Sequence, residues 1–283
     1  RFGWPVFLDW SGYVTDLTYL SLGAGVQSSA LLVMSNLGLH DCPKADVAIF
    51  ADTQSEPQWV YDQLDWLKTW STIPVEVCTA GNLGQHALTK PRGTSGRFVN
   101  IPLWTAGDTG KAVPLRRQCT REYKITPIHQ HVRRRLGYRP RQHFTKAVDV
   151  LIGISVDEVQ RAKPSRLPNT TARFPLLDAG FRRQDCLTLL ADHQVPVPKK
   201  SACVFCPYRD DGMWIELRDD APDDFAAAVQ FDRAMRSMTP AADTRPAFVH
   251  KSLQPLDEVD FQARRERPLF DSFTEECEGM CGV

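Results

Sequence analysis

The sequence predicts an α/β layered fold: a central parallel sheet flanked by helices, plus a helical C-terminal portion. Three observations predict it. Short apolar runs of strand length alternate with amphipathic runs of helical length between Leu17 and Cys78, the pattern of strands joined through helices in a parallel sheet. The first apolar run enters a Gly/Ser-rich turn, Leu20-Ser21-Leu22-Gly23-Ala24-Gly25-Val26-Gln27-Ser28-Ser29, and a helical run leaves it. The second apolar run leads into a carboxylate, Asp52. Both features fall at the C-terminal ends of parallel strands, where such sheets bind ligands.

Arg1 to Asp16 has no clear period and reads as an N-terminal extension. A main domain is expected over 17–208 and a helical region with a cysteine-bearing tail over 209–283. Leu17–Leu22 is the first strand and Val26–Leu37 the first helix. Ala45–Phe50 is the second strand. Pro57 opens a helix through about Trp70, with Trp59, Leu64, Trp66, Leu67 and Trp70 as its apolar side. Ile73–Cys78 is the third strand. Ala80 to Gln118 is rich in Gly, Thr and Pro, too long for an ordinary connection, and reads as a lid or substrate loop. Cys119–Leu136 is a basic helix weakly broken by Pro127, and Val148–Gly153 another buried strand. Phe174–Leu177 reads as extended and Phe181–His193 as a helix. Asp211–Arg218 and Asp223–Met238 are helical, with Pro222 suited to a first turn. The result is a Rossmann-like layered fold.

The formal net charge is zero, so no global basic field argues for nucleic acid or an anionic membrane. Charge is nevertheless uneven, with Arg116, Arg117, Arg121, Lys124, Arg133, Arg134 and Arg135 crowding one segment. No apolar run approaches the ~18 residues of a membrane span, and Arg1 to Trp10 contains no signal-peptide core. A cytoplasmic protein without membrane partners is expected, its oligomeric state left open. Eight cysteines in a chain of 283 residues do not make a disulfide framework in that compartment. Cys42, Cys78 and Cys186 sit in apolar or helical contexts and are expected to be inert. Cys119, Cys203, Cys206, Cys277 and Cys281 sit among polar or turn residues.

The Gly/Ser turn can point backbone N–H groups and a helix dipole at one spot, which suits a phosphate. Gly23 and Gly25 let the backbone approach an anion, and Ser21, Ser28 and Ser29 can add hydroxyls. A plain strand-to-helix turn with Ser caps is the alternative. The turn lacks the Gly-Lys-Ser/Thr end of a Walker loop and the glycine spacing of a dinucleotide fingerprint. Asp52 can hold a ribose hydroxyl, an adenine amine or Mg²⁺, or it can cap the helix after Pro57. Cys203-Val204-Phe205-Cys206, with Cys119 far upstream, can face three thiolates to one ion, or be free thiols.

The turn resembles the PP-loop of the ATP pyrophosphatase and PAPS-reductase superfamily, Ser-Gly-Gly-x-Asp-Ser. Ser21, Gly23, Gly25 and Ser28 or Ser29 fill that pattern, with Ala24 inside it and Gln27 where the family often has Asp. Ala51-Asp52-Thr53-Gln54-Ser55-Glu56-Pro57 resembles the Asp-Thr-Gly…Pro-Glu segment of PAPS reductases. Cys119-Thr120-Arg121-Glu122-Tyr123-Lys124-Ile125-Thr126-Pro127 is similar to the Cys-Cys…Lys…Pro segment of iron–sulfur APS reductases. Lys124 and Pro127 match there, and Thr120 stands on the second cysteine. Phe174-Pro175-Leu176-Leu177, Val195-Pro196 and the Cys203–Cys206 turn follow in the family's order. Gly153, with Arg161 and Lys163 after it, matches a segment that meets nucleotide phosphates, a solvated loop being the alternative. Glu276-Cys277 resembles the C-terminal Glu-Cys-Gly motif, with Glu278 in place of the glycine and Cys281 added.

The resemblance runs from about Leu17 to about Tyr208, plus the tail. It implies ATP, or APS or PAPS, as ligand, with Mg²⁺. It implies a [4Fe–4S] cluster on Cys119, Cys203 and Cys206 ahead of zinc, and Lys124, Cys277 and Cys281 as catalytic residues. Beside the adenine nucleotide, a nucleic-acid substrate or a thioredoxin-like donor is the implied partner. Arg133 to Arg135 are an exposed face or hold phosphates. The favoured activity is an adenine nucleotide α-hydrolase splitting ATP to pyrophosphate and an adenylated intermediate. It would serve sulfur transfer or nucleic-acid modification in a mobile-element or defence context. The alternatives are a thiol-dependent APS/PAPS reductase and a non-catalytic nucleotide-binding accessory protein. Thr120 and the altered tail weigh against the reductase.

Overall fold

The computed structural model describes residues 15–89, 101–237 and 245–261. In chain order the first half contains β1 (Leu17–Leu22), α1 (Val26–Leu37), β2 (Val47–Asp52), α2 (Gln58–Trp70), β3 (Val75–Thr79), α3 (Leu83–Thr89), β4 (Trp104–Ala106), β5 (Ala112–Pro114) and α4 (Thr126–Arg135). The second contains β6 (Val148–Ile152), β7 (Thr170–Arg173), α5 (Pro175–Asp178), α6 (Arg183–Asp192), α7 (Asp211–Asp220), α8 (Pro222–Ser237) and β8 (Ala247–Phe248). Five strands form a sheet in the order β3-β2-β1-β6-β7, and every pairing is parallel.

Alternation of side chains explains why the central strands are apolar on both faces. Leu20 and Leu22 of β1, Ala48 and Phe50 of β2 and Leu151 of β6 pack with α1, α2 and α6 through Leu31, Leu64, Leu67 and Leu190. The intervening Tyr19, Ile49 and Val150 pack on the other face with Ile128 and Val132 of α4. Tyr19 lies opposite Val47 and Val150, so β1 has neighbours on both sides. The chain leaves β1 for β2 in one direction and reaches β6 in the other. That switch point falls between β1 and β6, and sheets of this kind bind ligands outside the C-terminal strand ends there.

The strands and helices expected for the sheet between Leu17 and Cys78 are present, and three differences lie further along the chain. Residues 80–118 are not one open loop. The described part contains α3, β4 and β5, and β4 pairs antiparallel with β5 and β8. These elements close a separate core in which Leu83, Ala87, Leu103 and Tyr123 meet Phe205, Trp214, Phe231, Val249 and Phe261. Phe174–Leu177 is not extended. The strand lies earlier, at β7, and Pro175 starts the helical turn α5, where its missing N–H costs nothing. The basic helix is continuous from Cys119, but Arg121–Ile125 is a π-turn in which the Thr126 N–H reaches back to Arg121 O. A wide turn before Pro127 accommodates the ring and the lost donor. Pro222 is the first residue of α8, as expected. Among the described residues no helix is long and apolar enough to cross a membrane.

Candidate nucleotide-binding site

The turn after β1 is built by three residues. Ala24 adopts a left-handed backbone (φ 54°), and Gly25 is the N-cap of α1. The Ser28 hydroxyl folds back into the turn, accepting the N–H groups of Gly23 and Gly25, both at 3.2 Å. It donates its own proton to Gly25 O at 3.2 Å. The first turn of α1 carries no acidic side chain, so its positive end is not neutralised from within.

The end of β6 closes against this turn. A Cβ on Gly153 would lie 2.9 Å from Gln27 C and Ser28 N, so only glycine lets the two backbones meet. Ser21 is buried at the end of β1, and Ser29 and Ser155 are fully buried. The hydroxyls of Ser29 and Ser155 have no hydrogen-bond partner among the described residues. Buried hydroxyls without partners, beside a helix N-terminus and a glycine approach, fit an anion site. The buried Gln27 side chain accepts from Arg183 Nη1 at 3.1 Å.

Asp52 ends β2. Its Oδ1 accepts the Gln54 N–H at 2.7 Å and the Tyr61 hydroxyl at 3.0 Å. Burial, and then the Asp52 charge, push the Tyr61 phenol above its ordinary range. Asp52 does not cap the following helix. The N-cap of α2 is Pro57, with no side-chain cap. Asp52 instead closes a local turn through Gln54, which is left-handed (φ 53°).

A cavity adjoins Thr53 and is lined by Arg117, Cys119, Thr120, Lys124, Cys203, Cys206 and Tyr208 among others. The Thr53 hydroxyl donates to Glu56 Oε1 at 3.1 Å. Lys124 Nζ lies 3.3 Å from the same oxygen, and Cys203 Sγ donates to it at 3.6 Å. Glu56 Oε2 is buried without a hydrogen-bond partner. Burial, then the Glu56 charge, hold the Cys203 thiol well above its usual range, and Lys124 opposes them. Beneath the turn the buried Arg209 guanidinium donates to Ala202 O at 2.6 Å and Cys203 O at 3.2 Å. Burial pulls it below its ordinary range. The three expected metal-ligand cysteines therefore share one cavity. Among the described residues, however, no three His, Cys, Asp or Glu side chains form a group that could hold a metal ion. Thr120 in the same lining carries a hydroxyl, which does not bind iron as a thiolate does, so these residues do not fit a four-thiolate cluster.

No protein-family model matches the chain, and no curated protein matches it. Among solved structures, the chain is similar to a reductase. That structure is the phosphoadenylyl-sulfate (PAPS) reductase of Candida auris in its phosphate complex. It shares 16% identity with this chain at a TM-score of 0.41, covering 66% of this chain and 77% of the reductase.

The structure brings Ser21, Gly23, Ala24, Gly25, Gln27, Ser28, Ser29 and Gly153 to the C-terminal edge of β1 and β6, with Asp52 at the same edge on β2. Lys124 joins the cysteine cavity instead. Arg161 turns to Glu158, with Nη1 2.5 Å from the carboxylate, and Lys163 is exposed. Arg134 and Arg135 are exposed, and Arg135 pairs with Glu76. Arg133 lies 5.3 Å from the centre of the Tyr138 ring. Cys42, Cys78 and Cys186 are buried. Cys277 and Cys281 lie outside the described residues. Sequence reasoning missed Arg183, Ser155, Tyr61 and Arg209, and gave Glu56 no role of its own. Glu56 belongs to the Ala51–Pro57 segment, but Arg183 is 156 residues from its partner Gln27, and no local pattern signals that contact.

Proposed function

We propose that the chain binds an adenine nucleotide in the turn between β1 and α1 and splits ATP between its α- and β-phosphates. The observation that supports this best is the turn itself. It has two glycine N–H groups, an acid-free helix N-terminus and, at the C-terminal edge of the paired strands β1 and β6, the buried Ser29 and Ser155 hydroxyls, unpartnered among the described residues. In this reading Gly23 and Gly25 donate to the leaving pyrophosphate, and Ser28 gives up its turn contacts to a phosphate oxygen. Mg²⁺ enters with the nucleotide as its counter-ion. Asp52 orients the sugar or base. The bond from the α-phosphorus to the bridging oxygen breaks, pyrophosphate leaves, and an acceptor oxygen takes the adenylyl group. With water as acceptor the products are AMP and pyrophosphate in equal amounts.

The test is a thermal-shift titration with ATP, APS and PAPS, followed by assay of pyrophosphate and AMP from ATP and Mg²⁺. Bound ATP should stabilise the protein by ~2.7 kcal/mol at about 100 times its Kd, and pyrophosphate and AMP should appear in equal amounts. Stabilisation by APS or PAPS but not by ATP would refute this reading.

A further inference from the structure

Lys124, Arg161 and Arg183 are three of the cations in the segments that follow or face the C-terminal strand ends. Lys124 faces the Glu56 carboxylate at 3.3 Å and Arg161 faces that of Glu158 at 2.5 Å. Arg183 faces an amide. Its Nη1 donates to Gln27 Oε1 at 3.1 Å. The nearby carboxylate, Asp157, is engaged elsewhere, accepting the Arg183 backbone N–H at 2.6 Å, with its other oxygen 3.9 Å from Arg182. Among the described residues no carboxylate lies within ion-pair distance of the Arg183 guanidinium.

Gln27 is the second residue of α1 and only 1% exposed. Its contact with Arg183 therefore ties the guanidinium to the helical turn whose N–H groups form the cradle. The amide carries no net charge, so the positive charge of Arg183 adds to that of the helix N-terminus rather than being cancelled. A guanidinium bonded to a neutral amide gains by exchanging it for phosphate oxygens, which accept charge-assisted, fork-shaped contacts. An acid at position 27 would remove this property by pairing with Arg183.

We propose that Arg183 takes the outer phosphates of the nucleotide and thereby selects a pyrophosphate-bearing ligand over a monophosphate. The inference rests on the nucleotide reading above. The full-length protein and its Arg183→Met variant are titrated calorimetrically with ATP, inorganic pyrophosphate and AMP in one buffer. The variant should lose about ten-fold or more in affinity for ATP and pyrophosphate, the scale of one hydrogen bond between charged groups, while AMP stays within about two-fold. Arg183→Lys should recover part of the loss. Gln27→Glu, which leaves Arg183 in place but pairs it, should reproduce the same selective loss and serves if Arg183→Met does not fold. Unchanged affinity for ATP and pyrophosphate, or a loss shared equally by AMP, overturns the inference and leaves the nucleotide reading standing. Failure of the unmodified protein to bind any of the three overturns both.

Discussion

Gly153 marks the closest approach in the candidate site. It lies one residue beyond β6, and its missing side chain is the space that the backbone of Gln27 and Ser28 occupies. The nearest atoms are backbone, so a methyl group cannot be relieved by a rotamer change. Gly153→Ala must push β6 away from the first turn of α1. The expected cost is about 1–3 kcal/mol, the usual range for overpacking, and ATP affinity should fall with it because the cradle opens. Urea unfolding and an ATP titration on the same variant check both effects. Wild-type stability would mean that the two segments do not touch in solution.

The central strands were legible because a parallel strand buried on both faces is a largely apolar run, as Val47–Ala51 is throughout and Val148–Ile152 is apart from Asp149. What was not legible has physical causes. β7, Thr-Thr-Ala-Arg, is an edge strand with no buried residue and no apolar run. β4 and β5 have three residues each, too few for any period. The π-turn before Pro127 shows in sequence only as a proline inside a helical run. The loop's residues were legible, but the contact of Gln27 with Arg183 of α6 spans 156 residues and so was not. The first turn of α1 yields a prediction in which stability and binding part company. Gly25 is an N-cap in extended conformation, φ −94° and ψ 180°, which any residue can adopt. Aspartate is a favoured N-cap and its charge suits a helix N-terminus. Gly25→Asp should therefore leave the melting temperature unchanged or slightly raised while abolishing ATP binding, because its carboxylate takes the place of the phosphate. Differential scanning calorimetry with and without ATP separates the two effects. ATP binding that persists in the folded variant would remove this turn as the phosphate site.

The described chain holds two faces of packing on the sheet and a separate core beyond it, and that third core carries the cysteine turn. Phe205, between Cys203 and Cys206, stacks on Phe231 of α8 with ring centres 3.9 Å apart. Asp232, fully buried on the same helix, accepts the N–H groups of Val249 at 2.8 Å and Leu256 at 3.2 Å. Those bonds bring the last described segment back onto α8, and Phe261 completes the packing at 2% exposure. Among the described residues, the loop and the cysteine cavity are shaped by side chains no later than Phe261. Removing Glu276 to Val283 should leave fold and nucleotide site intact, and this separates the two chemistries. A sulfonucleotide reductase needs a thiolate from Cys277 or Cys281 to attack sulfur, a role that no hydroxyl fills. An enzyme that splits ATP at the β1–α1 turn needs these thiols only if sulfur passes through them. The full-length and truncated proteins should give the same ATP-induced thermal shift and the same ratio of pyrophosphate to AMP. Both should also be assayed for sulfite release from APS and PAPS with a thioredoxin system. Sulfite that vanishes with the tail, together with no pyrophosphate from ATP, would assign the site to the reductase chemistry instead.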